Sequence, residues 1–343
     1  MHSKQICIIG QGLAGTILSH QLNERDCDYL IYDLHDPKRT SSWVAGGLFN
    51  PVTGKRNLKT WMADELFESL FEFYPAMEAK LQTRFFHPMP LLRIFDSVRS
   101  QNEGLEKASS GLLDPFTALS DFHESGYAHP TKDLFGSLEI HQSGYLDTRS
   151  FLQDSRRYFG TKKRLVETRY TLDQVKDTEN IFIWCTGFSD SSITSQHNLC
   201  FKPVKGEVLT IALPHLKIEH ILLGQGIFVI PLYNGHCRLG ATYDWDITNT
   251  EPTKEAAKDL LRKFNELLGF ETEVKVISHE SGIRPATPDR RPLIGPILGM
   301  DGHYIFNGFG SKGVSLIPYF AQRLIQHLFD HVPLPEEISL SRF

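Results

Sequence analysis

The fold is decided by the stretch Ile6-Cys7-Ile8-Ile9-Gly10-Gln11-Gly12-Leu13-Ala14-Gly15. Its apolar start predicts a strand buried on both faces, and helical spacing follows from Leu13 to Leu22. In a G-x-G-x-x-G turn the first glycine permits the tight turn, the second lets the backbone approach a pyrophosphate, and the third allows close helix–strand packing. A second strand ends at an aspartate that is placed to accept hydrogen bonds from ribose hydroxyls. The sequence therefore predicts a dinucleotide-binding β-α-β unit whose contacts are Gly10, Gly12, Leu13, Ala14, Gly15 and Asp33.

Composition places the chain among ordinary globular proteins. It has 343 residues, of which 41% are hydrophobic and 22% charged, a balance that argues against disorder and suits two domains. The net charge of −5 does not favour general binding of nucleic acid, and the basic stretch Lys55–Lys59 is interpreted as a solvated loop. No cysteine or histidine spacing indicates a metal site. No signal peptide or apolar run of about 18 residues is apparent, so we expect a cytoplasmic protein without a membrane partner.

Periodicity along the chain predicts a mixed α/β fold with a discontinuous nucleotide-binding domain. Helical spacing covers 62–81, 146–158 and 253–268, and a last helix follows a glycine-rich turn and ends near Phe329. Short β-rich runs separated by Gly and Pro over 204–242 favour an antiparallel sheet. The segment 85–138 predicts strands and loops. We therefore expect a Rossmann-type FAD-binding domain and a second, largely antiparallel β-sheet substrate domain that carries helices; the first comprises 1–80, 140–202 and 285–343, and the second 81–139 and 203–284.

The first motif alone does not distinguish FAD from NAD, because both contain an ADP half. Motifs further along the chain resemble the D-amino-acid oxidase/glycine oxidase superfamily of FAD-dependent oxidoreductases. Gly282-Ile283-Arg284-Pro285 with Pro288-Asp289 and Pro292–Gly295 is similar to its "G-x-R-P…D-x-x-P-x-I-G" signature. Weaker similarities occur, in family order, at Ser41–Gly47, Pro203–Val208, Gly240–Thr242 with Asp246 and Thr253, and Asn307–Gly313. Only the stretch 81–138 departs from the family pattern. The resemblance implies FAD as cofactor.

The resemblance also implies the remaining cofactor contacts. Small residues in the segment 41–47 allow close approach of an isoalloxazine ring. A glycine-rich turn at a helix N-terminus offers N–H donors to the negative charge of reduced flavin near N1 and C2=O. Lys312 either adds charge there or is a surface lysine, and the backbone near Val166 is expected to touch adenine. The implied contacts are Ser41, Ser42, Ala45, Gly46, Gly47, Val166, Gly187, Gly308, Gly310, Ser311, Lys312 and Gly313.

The substrate residues are predicted from the same resemblance. Arg284 matches the arginine that clamps the substrate carboxylate, and a planar guanidinium suits that role because it pairs a carboxylate through two hydrogen bonds. The alternative is a structural ion pair of Arg284 with Asp289 or Glu280. Tyr233 is predicted either to contact the substrate or to lie in the core. Leu48 and Phe49 are expected on the substrate face of the ring.

The predicted reaction is oxidation of a small amine or amino acid of the glycine, sarcosine or D-amino-acid type. Hydride passes from the amine-bearing carbon to flavin N5, the resulting imine hydrolyses, and oxygen or another acceptor takes the electrons. One alternative is oxidation of a carboxymethylaminomethyl group on wobble uridine of tRNA, because 45–51 resembles the corresponding stretch of that FAD oxidase. The others are a flavoprotein without amine oxidase activity and an NAD-dependent enzyme.

Overall fold

The chain was analysed as a computed structural model that describes residues 5–25, 27–36, 40–54, 56–127, 131–175, 180–188, 199–232, 235–247 and 249–343. Its α-helices are α1 (Leu13–Glu24), α2 (Ser41–Val44), α3 (Ala63–Leu81), α4 (Val98–Ser109), α5 (Thr148–Thr161), α6 (Lys254–Leu268) and α7 (Gly313–Asp330). The described residues also form 3-10 turns at Leu119–Asp121, Leu172–Gln174, Glu336–Ile338 and Leu340–Arg342. No helix in these ranges is long and apolar enough to cross a bilayer.

Within the described part of the chain the strands form four sheets. In chain order they are β1 (Ile6–Ile9), β2 (Tyr29–Tyr32), β3 (Leu48–Phe49), β4 (Val52–Thr53), β5 (Leu58–Lys59), β6 (Phe86–Pro88), β7 (Leu91–Ile94), β8 (Phe122–His123), β9 (Ser137–Ile140), β10 (Gly144–Leu146), β11 (Leu165–Val166), β12 (Ile181–Trp184), β13 (Val204–Ala212), β14 (Ile221–Gly224), β15 (Ile227–Pro231), β16 (His236–Gly240), β17 (Lys275–Arg284), β18 (Leu293–Pro296) and β19 (His303–Asn307). β3, β10 and β6 form a small antiparallel sheet, and β4 pairs with β5.

The six-stranded sheet confirms the nucleotide-binding fold. Its strand order is β11-β2-β1-β12-β19-β18, and all pairs are parallel except β18 with β19. β1 is buried at every position because neighbouring strands flank it and helices cover the sheet faces. The carboxyl ends of β1 and β2 lead directly into the glycine turn and Asp33. This edge of the sheet is where a dinucleotide site is expected.

The eight-stranded sheet is the predicted second, largely antiparallel unit. Its order is β17-β13-β16-β15-β14-β7-β9-β8, with one parallel pair between β14 and β7. α6 covers one face with Leu260, Phe264 and Leu267, which pack with alternate strand residues such as Leu209 and Val229. The opposite face has no such helix among the described residues and turns toward the six-stranded sheet. The assignment of chain ranges to two domains stays a prediction.

One helix is not predicted from the sequence, and another has bounds that differ from the predicted ones. α4 lies within 85–138, where strands and loops are expected; it has almost no apolar stripe, since Gly104 and Ala108 are its buried residues. A capping box at Ser97 and Ser100 starts it. The helix expected at 146–158 begins after the short strand β10. α6 ends at Gly269, which adopts the left-handed conformation that stops a helix.

Candidate active site

A cavity of about 2090 Å³ lies between the two large sheets. It is larger than the pocket of roughly 300–1,000 Å³ that a single small ligand occupies. Most sequence-predicted site residues line it. They are Gly10, Gly12, Leu13, Ala14, Asp33, Ser41, Ser42, Ala45, Gly46, Gly47, Leu48, Phe49, Gly187, Arg284, Gly310, Ser311, Lys312 and Gly313.

The glycine turn has the geometry its sequence predicts. Gly10 has φ +100°, and a Cβ on Gly15 would lie 1.9 Å from the Gly10 carbonyl oxygen, so a side chain there would separate α1 from β1. Ser42 Oγ accepts a hydrogen bond from Leu13 N–H at 3.1 Å, which brings the segment 41–47 against the start of α1. The helix N-terminus and the predicted flavin-contact segment therefore lie side by side.

The Asp33 carboxylate at the end of β2 is held by its surroundings. Oδ2 accepts from Gln11 N–H at 2.9 Å, and Oδ1 accepts from His35 N–H at 2.8 Å. Arg156, which sequence reasoning misses, lies 3.2 Å from Asp33 Oδ1 and also donates to Gln11 Oε1 at 2.6 Å. The carboxylate is thus fixed at the cavity edge, where its oxygens are suitable acceptors for hydroxyl groups.

Two arginine side chains hold the segment 41–47 by hydrogen bonds to its backbone carbonyls. Arg149 Nε donates to Trp43 O at 2.9 Å, and Arg238 Nη1 donates to Ala45 O at 3.1 Å. A Cβ on Gly46 would lie 2.6 Å from Phe228 Cζ, so this ring packs directly on the segment. The glycine is needed for that close approach.

The turn before α7 contributes the opposite wall of the cavity. Lys312 is the N-cap residue of α7, and its Nζ lies 3.4 Å from Thr53 Oγ1. Burial lowers the pKa of the Lys312 ammonium, and the charge of Arg290 acts in the same direction. Lys312 is therefore a partly buried cation facing the cavity, not a surface lysine.

Arg284 rests on the face of β13. A Cβ on Gly206 would lie 2.0 Å from Arg284 Nη2, so the guanidinium lies flat over that glycine. Nη1 is within 3.2 Å of Thr242 O, and the guanidinium carbon is 4.4 Å from the ring centre of Tyr243. Burial lowers the pKa of the Arg284 guanidinium, while Tyr243 raises it. A partly desolvated cation at a cavity wall is a strong binder of carboxylates.

The structural ion pair considered for Arg284 is not formed. Asp289 instead accepts from Arg342 Nε at 2.8 Å, and Glu280 accepts from Arg149 Nη2 at 2.5 Å. Within the described ranges Arg284 contacts backbone carbonyls and an aromatic ring but pairs with no carboxylate. Its charge is available to a ligand.

Three predicted residues lie outside the cavity lining, and a fourth is not among the described residues. Gly15 and Gly308 support the turns without lining the cavity. Val166 pairs with Tyr32 at the sheet edge, and the neighbouring residues 168–170 line the cavity in its place. Tyr233, like Lys55 of the basic stretch, lies outside the described residues. Among the described residues no group of His, Cys, Asp and Glu is suited to a metal ion.

The charge of the cavity wall fits a dianionic pyrophosphate. Among the described residues its lining contains eleven lysine and arginine residues against four aspartate and glutamate residues, although the chain as a whole carries −5. Gln11 Nε2 is buried there without a hydrogen-bond acceptor in the described structure. Volume, glycine cradle, unpaired donor and positive wall together suit FAD plus a substrate.

A comparison with protein families decides the assignment. The family described as DAO, FAD dependent oxidoreductase, matches residues 5–327. The chain belongs to this family. As a DAO-family protein it is an FAD-dependent oxidoreductase of the class that acts on CH–NH or CH–NH2 groups, and its cofactor is FAD.

Individual relatives of this DAO-family protein are distant but extend over its full length. It is 22% identical to a glycine oxidase from Pseudomonas aeruginosa, over 97% of this chain and 96% of that protein. A structure of glycine oxidase from Geobacillus kaustophilus superposes with a TM-score of 0.80 at 15% identity, covering 99% of this chain and 100% of that one. The tRNA 5-methylaminomethyl-2-thiouridine biosynthesis bifunctional protein MnmC from Marinobacter nauticus is 23% identical over 94% of this chain, which corresponds to 55% of its own length.

Proposed function

We propose that this DAO-family enzyme oxidises an amine that carries a carboxylate close to the reacting carbon, as in glycine, sarcosine or a D-amino acid. The observation that carries the proposal is Arg284, a cation on the cavity wall that pairs with no carboxylate in the described structure. A bidentate pair with the substrate carboxylate would satisfy it. The names of the glycine oxidase relatives agree with this class of substrate.

The protein residues orient the substrate and leave the redox chemistry to the cofactor. Arg284 would fix the carboxylate and so decide which hydrogen of the amine-bearing carbon faces the cofactor. Tyr243 packs on the guanidinium and limits the positions that it can adopt. The residues that would hold FAD include Gly12, Gly46 and Lys312. FAD held there would supply the hydride acceptor for the oxidation.

The direct test is anaerobic flavin bleaching with glycine, sarcosine, proline and D- and L-amino acids, combined with Arg284→Ala. Removing one partner of a desolvated charge pair costs about 2–5 kcal/mol, so KM should rise roughly 30- to 5000-fold with the flavin still bound. Arg284→Lys keeps the charge but loses the planar fork, and should recover only part of the loss. Arg262→Ala, on the exposed side of α6, is the matched control.

Each result of the bleaching experiment leads to a different conclusion about Arg284 or the substrate. Bleaching by one amine class, with KM raised by Arg284→Ala and not by the control, supports the proposal. Bleaching with an unchanged KM in Arg284→Ala would remove Arg284 from the substrate site. If a fully loaded flavin is bleached by none of these compounds, free amino acids are the wrong substrates. Where an amine does bleach the flavin, re-oxidation on admitting air identifies oxygen as an electron acceptor.

A second candidate is an amine on a modified tRNA nucleoside. The similarity to the bifunctional tRNA protein and the strongly basic cavity wall favour it. Arg56 is exposed at the cavity mouth, where a nucleic-acid backbone could be met. A gel shift with bulk tRNA tests this candidate: it requires binding that weakens steeply with added salt. If tRNA gives no gel shift at low salt, this second candidate is rejected and the small-amine proposal remains.

A further inference from the structure

The cavity face of the eight-stranded sheet carries a lateral row of residues. In the strand register Val208 pairs with Gly240, Gly240 with Phe228, Phe228 with Leu223, and Leu223 with Arg93. Residues paired across strands project from the same face of a sheet. All five line the cavity, and we call them the floor row. The row begins on β13, the strand that supports Arg284, and ends on β7.

Arg93, at the far end of the floor row, is a second partly buried guanidinium. Its Nη2 donates to the Gly54 carbonyl oxygen at 3.2 Å, and within the described ranges it forms no ion pair with a carboxylate. Burial lowers the pKa of the Arg93 guanidinium, and the charge of Asp96 partly offsets this. The Asp96 carboxylate itself accepts hydrogen bonds from the Ser97 and Ser100 hydroxyls. Arg93 therefore faces the cavity with unused donors.

Some arginines near the cavity are paired with carboxylates, whereas Arg93 is not in the described part of the chain. Arg149 pairs with Glu280, and Arg99 pairs with Glu103. Burying a cation without an anion costs free energy, so such a group commonly marks a place where an anion binds. Arg93 and Arg284 share this property. Arg93 ends the floor row on β7, and the Arg284 guanidinium lies over Gly206 on β13, two residues from Val208.

The spacing excludes a small free amino acid as the molecule that touches both arginines. Four strand-to-strand steps of about 4.8 Å separate β13 from β7, which gives roughly 19 Å between their backbones. The side chains shorten this gap but do not close it. Between the two cations the floor is apolar, formed by Val208, Phe228 and Leu223. A ligand spanning it needs anionic ends and an apolar or planar middle.

We propose that Arg93 binds a second anionic group of the substrate, which is therefore an amino carboxylate joined through an apolar or planar spacer to a remote carboxylate or phosphate. This inference rests on the proposed function, since it takes Arg284 as the site of the first carboxylate. It adds the length of the substrate and the chemistry of its far end. The flavin-contact glycine Gly46 packs on Phe228, so the middle of such a ligand would pass beside the reaction centre.

The test is a series of N-alkylglycines of graded chain length that end in a carboxylate, a phosphonate or a neutral hydroxyl. Anaerobic flavin reduction gives KM for each compound with the FAD-loaded enzyme. At the best length the anionic compounds should have a KM roughly 10- to 100-fold below that of the hydroxyl compound of equal length. In Arg93→Gln that ratio should fall to near one. Arg262→Gln, on the other side of the same sheet, should keep it.

Each outcome of this experiment supports or contradicts either the inference or the proposed function. A preference for phosphonate over carboxylate identifies a phosphate-bearing substrate, and the reverse identifies a dicarboxylate; either supports the inference when Arg93→Gln abolishes the preference. Equal KM for anionic and hydroxyl compounds at every length overturns the inference while the proposed function stands. If Arg93→Gln binds FAD and melts like the parent yet retains the preference, the inference is also overturned. If neither the N-alkylglycines nor the amino acids of the first panel reduce the flavin, the proposed function itself fails.

Discussion

A methyl group on Gly206 should displace the Arg284 guanidinium while Arg284 itself is left unchanged. A Cβ at this position would lie 2.0 Å from Arg284 Nη2, 2.2 Å from Cζ and 2.3 Å from Nη1. Cβ atoms essentially never approach another atom closer than 3.0 Å, and ordinary contact begins at 3.4 Å, so the guanidinium must move by about 1.0 to 1.4 Å from its 2.0 Å separation. The movement also breaks its contact with Thr242 O. Gly206→Ala is therefore a displacement of the cation, with its charge retained.

The size of the effect follows from that displacement. A shift of about 1 Å in a positioning group costs on the order of 100-fold in rate, so we expect kcat/KM for a carboxylate substrate to fall about 100-fold, or about 2.7 kcal/mol. The backbone tolerates alanine, because Gly206 has no positive φ and lies within a regular strand. FAD content and melting temperature should stay near those of the parent.

The assay is a double-mutant cycle with Gly206→Ala, Arg284→Ala and the double variant, read as kcat/KM with the best substrate of the panel. Both single changes act through one guanidinium, so the double variant should be no worse than Arg284→Ala alone. If the kcat/KM losses of the two single variants multiply in the double variant, the reasoning is refuted, because alanine at 206 would then act on a group other than Arg284. A parental kcat/KM in Gly206→Ala would show that the substrate does not use the observed position of Arg284.

Two further predictions concern the cofactor and acid stability. Gly46→Ala should lower FAD content in the purified protein, because its Cβ would lie 2.6 Å from Phe228 Cζ; Gly46→Ala/Phe228→Leu should recover flavin absorbance, and failure to recover would place the clash elsewhere. Burial lowers the pKa of His20 from 6.5 to about 3, so the unfolded chain binds a proton that the native protein refuses. Stability should fall as pH drops below 6.5, by about 2 kcal/mol between pH 7 and pH 5. Urea unfolding of His20→Leu should lack that component, and an identical pH dependence would contradict it.

Local sequence patterns predict the parts of this protein that local physics determines. The glycine turn, the buried strand before it and Gly269 as a helix stop each depend on a few consecutive residues. α4 is missed because two small residues, Gly104 and Ala108, make up its buried side, and no periodic apolar stripe results. Its capping residues Ser97 and Ser100 were the available signal.

The side of the cavity formed by the eight-stranded sheet could not be predicted, because pairing between strands that are distant in sequence creates it. Phe228 meets Gly46 across 182 positions of sequence (228 − 46). Arg93 lies in the run Leu91–Ile94, which resembles a core strand whose one charged residue points to solvent. Strand pairing turns that residue into a cavity wall instead. Such contacts depend on long-range pairing that a single sequence does not specify.

β13 shows how one strand separates stability from recognition. Lys205 and Glu207 point away from the cavity and form a buried ion pair at 3.0 Å, with side chains only 1% and 3% exposed. Gly206 and Val208 alternate with them and face the cavity. Substitutions of Lys205 or Glu207 should therefore change the free energy of unfolding. Substitutions of Gly206 or Val208 should change substrate binding. A one-residue slip of β13 would exchange the two roles, so the buried pair that locks this register also sets where Arg284 meets its substrate.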